Sequence, residues 1–356
     1  MTTSMFKGGK KRDQVFAVDL GSRTTKAVLL ERKDNAFSLA RFTVQDAPVY
    51  DKAMPQGLLT EHLRSITTAM QPKTRQVTVA IGANDSVLRS TELPLMPISE
   101  MRQMFKFNSK THLQQELRDY VFDCHIVPPS NSGHKQAETS KAGVTKYKVW
   151  VGGARRELMQ TLESSVKAAG LTPTSITLGL IGPLNAFEFS QPEAFNKDVV
   201  ALVDLGFKSS SICILADGEL CLSRSVELGG DRLTQGLAEA MNITYAEAEG
   251  IKVGMPQEVE AHLQPLVLPL GRELRASIDF FEHQREKTVS KVLITGGAAR
   301  SEFLVQMLQA ELGVPCKAWF PTEGMKLSLS AQQMTELEQV SSVLAVAIGS
   351  AAMTVS

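Results

Sequence analysis

Val15-Phe-Ala-Val-Asp19-Leu-Gly21-Ser-Arg-Thr-Thr25-Lys26-Ala-Val-Leu-Leu30 is the stretch whose reading decides the fold. An apolar run delivers Asp19 at its end, a small hydroxyl-rich turn follows, and a second apolar run begins near Lys26. The pattern is strand, glycine turn, strand. Its backbone N–H groups at Gly21 and the hydroxyls of Ser22, Thr24 and Thr25 can form a nest for an anion such as phosphate. Asp19 beside them suits a hard cation such as Mg2+, which takes one or two carboxylates and completes its shell with phosphate and water oxygens. Taken alone, an Asp-x-Gly turn is as readily an ordinary β-turn.

The sequence contains the pattern twice. Val200-Ala-Leu-Val-Asp204-Leu-Gly206-Phe-Lys-Ser209-Ser210-Ser211-Ile-Cys-Ile-Leu215 aligns with the first stretch, matching Val15, Val18, Asp19, Leu20, Gly21 and Leu30 to identical residues. Arg23 aligns with Lys208, and Thr24 and Thr25 with Ser209 and Ser210. Past the turn dipeptides Asp34-Asn35 and Asp217-Gly218, Leu39-Ala-Arg41 answers Leu222-Ser-Arg224. Each unit therefore reads as three antiparallel strands, and the spacing marks a duplicated domain. Two such turns facing each other across a cleft can clamp a polyphosphate from both sides.

Bulk properties narrow the function classes. The 356 residues suit two or more domains, and 43% hydrophobic content suffices for substantial cores. Equal numbers of acidic and basic residues, 38 each, argue against a non-specific nucleic-acid binder. Cys124, Cys213, Cys221 and Cys316 form no Cys-x-x-Cys pair, so a zinc site or disulfide framework has little support. Cys213 and Cys221 read as buried thiols in strands. No signal peptide or membrane-length apolar run is visible; the start, with Lys7, Lys10, Lys11 and Arg12, reads as a basic tail.

Between the repeats the pattern predicts a helix over 57–70, strands at 76–81 and 87–93, and a helix capped by Ser99. A strand over 120–127, a mobile Ser/Gly/Lys-rich loop over 128–145, a strand from Lys146 and a helix over 156–169 ended by Gly170 complete a β-β-α-β-β-α block. Residues 74–170 are thus expected to be an inserted subdomain. After the second repeat, Gly229-Gly230-Asp231 opens a helix, where free N–H groups can face a phosphate or Asp231 can be a plain N-cap. Glu249 and Lys252 share a helix face at i,i+3. A long helix is expected over 265–286, and an apolar strand from Lys291 runs into Thr295-Gly296-Gly297-Ala298 and Arg300.

Taken together, these motifs resemble the actin-like ATPase superfamily, which includes actin, the 70-kDa heat-shock chaperones, sugar kinases and FtsA. The two hairpins resemble its two phosphate loops, and Thr295 to Arg300 its adenosine loop. In relatives the Glu249 and Lys252 positions reach ribose and adenine. The resemblance implies an α/β fold built of two RNase H-like cores with inserted subdomains. The expected parts are 14–73 with 171–196 and 341–356 (1A), 74–170 (1C), 197–235 with 276–340 (2A), and 236–275 (2B). It implies ATP with Mg2+ near Asp19 and Asp204. Around the nucleotide it places Gly21, Ser22, Thr24, Thr25, Gly206, Ser209, Ser210, Gly229, Gly230, Glu249, Lys252, Gly296, Gly297, Ala298 and Arg300. Lys26 either reaches a phosphate or is an exposed strand-end lysine. No general base stands out, so hydrolysis is expected to be slow or absent.

Within the superfamily, Val87-x-Arg89-x-x-x-Leu93-Pro94-x-Met96-Pro97 and Ala168-Ala-Gly-Leu-Thr-Pro173 resemble the PilM family of type IV pilus assembly proteins. That resemblance implies a cytosolic scaffold that takes the cytosolic tail of a PilN-like inner-membrane protein, with pilus motor ATPases and self-association as further contacts. One departure bears on the partner surface: the family's Tyr-Ile-Pro-Phe-Pro stretch is replaced by Lys110-Thr-His-Leu-Gln-Gln-Glu-Leu-Arg-Asp119. The alternatives are an FtsA-like filament protein, disfavoured by an ending at Ser356 directly after a core helix, and a small-molecule kinase on the same frame.

Overall fold

The computed structural model describes residues 13–33, 36–50, 53–127 and 146–355. The basic tail, the Asp34-Asn35 turn and the 128–145 loop lie outside the described residues. The chain forms two compact units: one is residues up to Asn84 together with those from Ser165 onward, the other Asp85–Ser164.

The first unit holds both repeats. The first repeat is β1 (Gln14–Leu20), β2 (Thr24–Lys33) and β3 (Ala36–Asp46), joined antiparallel. Beyond β1 lie β4 (Gln76–Ile81) and β8 (Thr172–Leu178), both parallel, and a short β14 (Lys326–Leu327) borders β3. The order is β14-β3-β2-β1-β4-β8. The second repeat is β9 (Val199–Leu205), β10 (Ser210–Ala216) and β11 (Glu219–Val226). With β12 (Lys291–Gly296) and β13 (Cys316–Ala318) parallel to it, the order is β11-β10-β9-β12-β13. The two sheets therefore have the same plan, 3-2-1 antiparallel followed by two parallel strands. Central strands β1 and β9 are near-continuous apolar runs because helices cover both faces.

The helices follow from their stripes. In α1 (Gln56–Met70), Leu59, Leu63, Ile66 and Met70 recur at helical spacing and are buried. After β11 come α6 (Gly230–Met241), α7 (Tyr245–Gly254) and α8 (Glu260–Arg285). Thr244 and Glu247 close a capping box at the start of α7. Helix α8 begins five residues before Pro265, where the sequence reading opened it, and keeps Pro265 and Pro269 inside. Each proline costs up to ~3 kcal/mol in a helix interior. The continuous buried face Leu263, Val267, Leu270, Leu274, Ile278 and Phe281 offsets that. Helices α4 (Gly182–Ser190) and α11 (Ala345–Ala352) share a core with strands of both sheets, including Val28 and Leu30 of the first and Leu202 and Leu215 of the second. Also here are α5 (Pro192–Lys197), α9 (Glu302–Leu312) and α10 (Ala331–Val340).

The second unit is a three-stranded sheet, β5 (Ser86–Pro94), β7 (Lys146–Arg155) and β6 (Tyr120–Ile126), with β7 central. Helix α2 (Ile98–Leu113) lays Met101, Phe105 and Leu113 onto Leu93, Val149 and Val151. Its N-cap is Pro97, two residues earlier than the expected Ser99 cap. The chain returns through α3 (Arg156–Ala168), and Gly170, two residues past its end, turns the chain with φ +82°. The unit is shorter than the expected 74–170, because Gln76–Ile81 pairs with β1 in the six-stranded sheet. An apolar run of that length carries no mark of the sheet it will join.

Candidate functional site

The two glycine turns are built alike. Leu20 pairs with Thr25 and Leu205 with Ser210, closing four-residue turns. A Cβ at Gly21 would lie 2.6 Å from Thr24 O, and one at Gly206 2.5 Å from Ser209 O, so each turn requires glycine. Ser22, Thr24 and Ser209 stay at the turn surfaces.

The strand ends behind the turns converge. Asp19 pairs with Lys26 in register, and Lys26 Nζ lies 3.2 Å from Asp19 Oδ2. Lys26 is 14% exposed along its side chain, so it is a crevice lysine and not an exposed strand-end one. Asp204 lies within electrostatic reach of both Lys26 and Asp19. Enclosure by protein pushes its carboxyl up to about 6, Lys26 pulling the other way and Asp19 adding to the rise. Gly296, at the end of β12 with φ +93°, abuts the same carboxylate: a Cβ there would lie 2.5 Å from Asp204 Oδ1 and from Leu205 O. Gly297 faces open space.

The turns also face each other. Arg23 Nη1 reaches Glu249 Oε1 of α7 at 2.6 Å, and its guanidinium sits 5.2 Å from the ring centroid of Phe207 in the second turn. Glu249 is joined by Lys252 Nζ at 2.6 Å and by the Thr234 hydroxyl of α6. Burial works against its charge, yet the donors Lys252, Thr234 and Arg23 hold it down to about 2. Lys208 of the second turn reaches Asp231 Oδ2 at 2.7 Å, and Tyr245 Oη donates to Asp231 Oδ1 at 2.8 Å.

Several expected site residues are committed elsewhere. Thr25 sits on the opposite face of β2 from Lys26, 1% exposed, with its hydroxyl 2.8 Å from His62 Nε2 of α1. Ser210, its counterpart, is fully buried and donates to Leu228 O at 2.6 Å. Both hydroxyls therefore brace strands. At the start of α6, Gly230 N donates to Gly206 O and Asp231 N to Phe207 O, each at 2.9 Å. Those two N–H groups are already taken, and the N-cap is Gly229, so neither reading of this helix start holds as framed. The Arg300 guanidinium donates to Glu338 O of α10. A small, partly open apolar pocket bordered by Gly229, Gly230, Leu233, Ala298 and Leu308 lies beside this helix start. Arg23, Phe207, Thr234, Asp231 and Tyr245 were not singled out as site residues. The aligned cations at 23 and 208 were the one visible signal.

The donor set fits a phosphate-bound hard cation. Among the described residues, no group of three or more His, Cys, Asp or Glu could cage a metal. Two carboxylates beside turns able to hold phosphate are what Mg2+ asks for when phosphate and water fill the remaining positions. The glycines at 21, 206 and 296 keep backbone close to that crevice.

Three solved structures share this architecture. A "PilM-PilN type IV pilus biogenesis complex" chain matches with TM-score 0.81 and 21% identity, covering 98% of this chain and 100% of that one. The ethanolamine utilization protein EutJ from Carboxydothermus hydrogenoformans matches at 0.55 and 13% identity, covering 97% and 91%. MreB5 of Spiroplasma citri, bound to ADP, matches at 0.51 and 10% identity, covering 96% and 95%. The fold is that of the actin-like ATPases, as the paired hairpins led us to expect. No helix among the described residues is long and apolar enough to cross a membrane. The sequence model of the family described as type IV pilus assembly protein PilM matches residues 17–355, and the chain belongs to that family.

Proposed function

We infer that this chain is a cytosolic, ATP-binding scaffold of type IV pilus assembly. In this reading it recruits the cytosolic tail of a PilN-like inner-membrane protein and is peripheral to the membrane through that partner. The observation that carries the nucleotide half is the meeting of Asp19, Lys26, Asp204 and Gly296 at one crevice between two matching turns. ATP with Mg2+ would be held there by Gly21, Ser22 and Thr24 on one side and Gly206 and Ser209 on the other, with Asp19 and Asp204 nearest the cation. Gly297 and Ala298 would border the base, and Glu249 and Lys252 the ribose. Bound Mg2+ would supply neutralisation of phosphate charge. Lys26, now paired with Asp19, would turn to a phosphate oxygen. Phosphoryl transfer is mainly positioning and charge neutralisation, and with no evident base the chain is read as a nucleotide-set switch with at most slow turnover.

The partner half is supported by the family and by the likeness to a chain solved in a PilM–PilN complex. The division into subdomains 1A, 1C, 2A and 2B, contact with pilus motor ATPases and self-association belong to the same reading. The test is titration of the purified chain with a fluorescent ATP analogue with and without Mg2+, followed by pull-down with the partner's tail peptide. Saturable Mg2+-dependent binding lost in Asp204→Asn, and retention of the peptide, are expected. No nucleotide binding by the wild type removes the switch; no peptide retention with or without ATP removes the recruiting role.

A further inference from the structure

Residues 23 and 208 hold the same place in the two turns, and both are cations flanking Phe207, at 5.2 and 5.4 Å from its ring centroid. Each reaches a carboxylate on the helices after the second repeat. Lys208 binds Asp231, 23 positions away, which also accepts from Tyr245 and Gln235. Arg23 binds Glu249 across 226 positions of sequence. Glu249 keeps Oε2 engaged by Lys252 and Thr234, so it remains well partnered if Arg23 leaves its Oε1. The Arg23 side chain is 47% exposed, against 14% for Lys252. An exposed ion pair is weakly held. The guanidinium thus rests on an aromatic shelf, inside a turn shaped for phosphate, with five donors whose fork matches phosphate oxygens.

We propose that Arg23 is a two-position residue, paired with Glu249 while the crevice is empty and carried to the terminal phosphate when a nucleoside triphosphate fills it. It then sets the preference for triphosphate over diphosphate, because only the longer chain offers the group it moves to. The exchange trades one charge-assisted bond for another and leaves Glu249 Oε1 open to a hydroxyl of the ligand. The first turn becomes joined to the second through the ligand, where the Arg23–Glu249 bridge had joined it to α7. This inference rests on the nucleotide reading above.

The experiment measures dissociation constants of fluorescent ATP and ADP, both with Mg2+, for wild type, Arg23→Ala, Arg23→Lys and Glu249→Gln. The readout is the affinity for ATP divided by the affinity for ADP. Arg23→Ala is expected to lower the ratio by roughly tenfold or more, the range for a lost hydrogen bond to a charged group. Arg23→Lys restores part of it, since lysine keeps the charge and loses the fork. Glu249→Gln raises the ratio by releasing the arginine. Hydrogen exchange of residues 245–254 without nucleotide should rise in both Arg23→Ala and Glu249→Gln, which checks the empty-state pairing independently. If Arg23→Ala leaves the ratio unchanged while the wild type binds both nucleotides, the proposal is overturned and the nucleotide site stands. If the wild type binds neither, both fall.

Discussion

Replacing Asp204 by Asn should stabilise the nucleotide-free protein, and the gain should depend on pH. The Asp204 carboxyl is raised from 3.8 to about 6. A raised carboxyl binds its proton more tightly folded than unfolded. It therefore contributes stability that is fully present below the unfolded value near 3.8 and is lost as pH rises through about 6. The rise is about 2 pKa units, and at 1.36 kcal/mol each the ionised form costs up to ~3 kcal/mol at neutral pH. Asn keeps the shape without the charge, and the net rise already includes the attraction to Lys26, so a gain of about 1–3 kcal/mol at pH 7.5 is expected. For a body of this size that is on the order of 2–10 °C in Tm. Thermal unfolding of both proteins from pH 5 to pH 8 measures it. The difference between them should widen as pH rises, and ATP binding should fall in the variant. A variant less stable than wild type at pH 7.5, or a difference that does not change with pH, refutes the claim that this carboxylate is held charged at a cost beside Asp19.

Further outcomes follow from the same geometry. Gly296→Ala forces a methyl against Asp204 Oδ1 and Leu205 O at φ +93° and should cost roughly 1–3 kcal/mol or more, read by urea unfolding, with nucleotide binding lost. Lys26→Met leaves Asp19 and Asp204 facing each other without their ammonium; ATP affinity should fall at least tenfold by titration. Ser210→Ala strands Leu228 O and should destabilise by about 1 kcal/mol, yet leave nucleotide affinity nearly unchanged, which separates a bracing hydroxyl from a ligand-binding one. Ser301→Ala removes the side-chain cap that accepts from Leu304 N and should cost about 1 kcal/mol in the same unfolding assay.

Much of the frame could be read directly because the repeat repeats its chemistry. Asp19 with Gly21 and Asp204 with Gly206 announce two equivalent hairpins, and the strand orders of the two sheets match accordingly. What escaped was set by period and by distance. Thr25 and Ser210 look like their turn neighbours, but strand alternation turns them to the face opposite Lys26 and Ser211, toward His62 and Leu228 O. That alternation was available in the sequence. The glycines at 229 and 230 suggested free N–H groups, yet their neighbours in space are the carbonyls of the second turn, which no local pattern encodes. The Arg23–Glu249 pair and the parallel pairing of β4 with β1 join segments whose residues give no hint of each other.

Where α4 crosses α11, main chain approaches main chain directly at Gly182 and Gly349. A methyl at Gly349 would fall on the Gly182 carbonyl, and one at Gly182 would lie 2.7 Å from Val346 Cα. Main chain bears on main chain between the two sheets, so the spacing of the two helices is fixed by backbone and not by side-chain size. Displacement of one helix along the other is resisted by direct steric contact at these two glycines. A bulky residue at 349 would force the two helices apart and loosen the core they share with both sheets, without touching either turn.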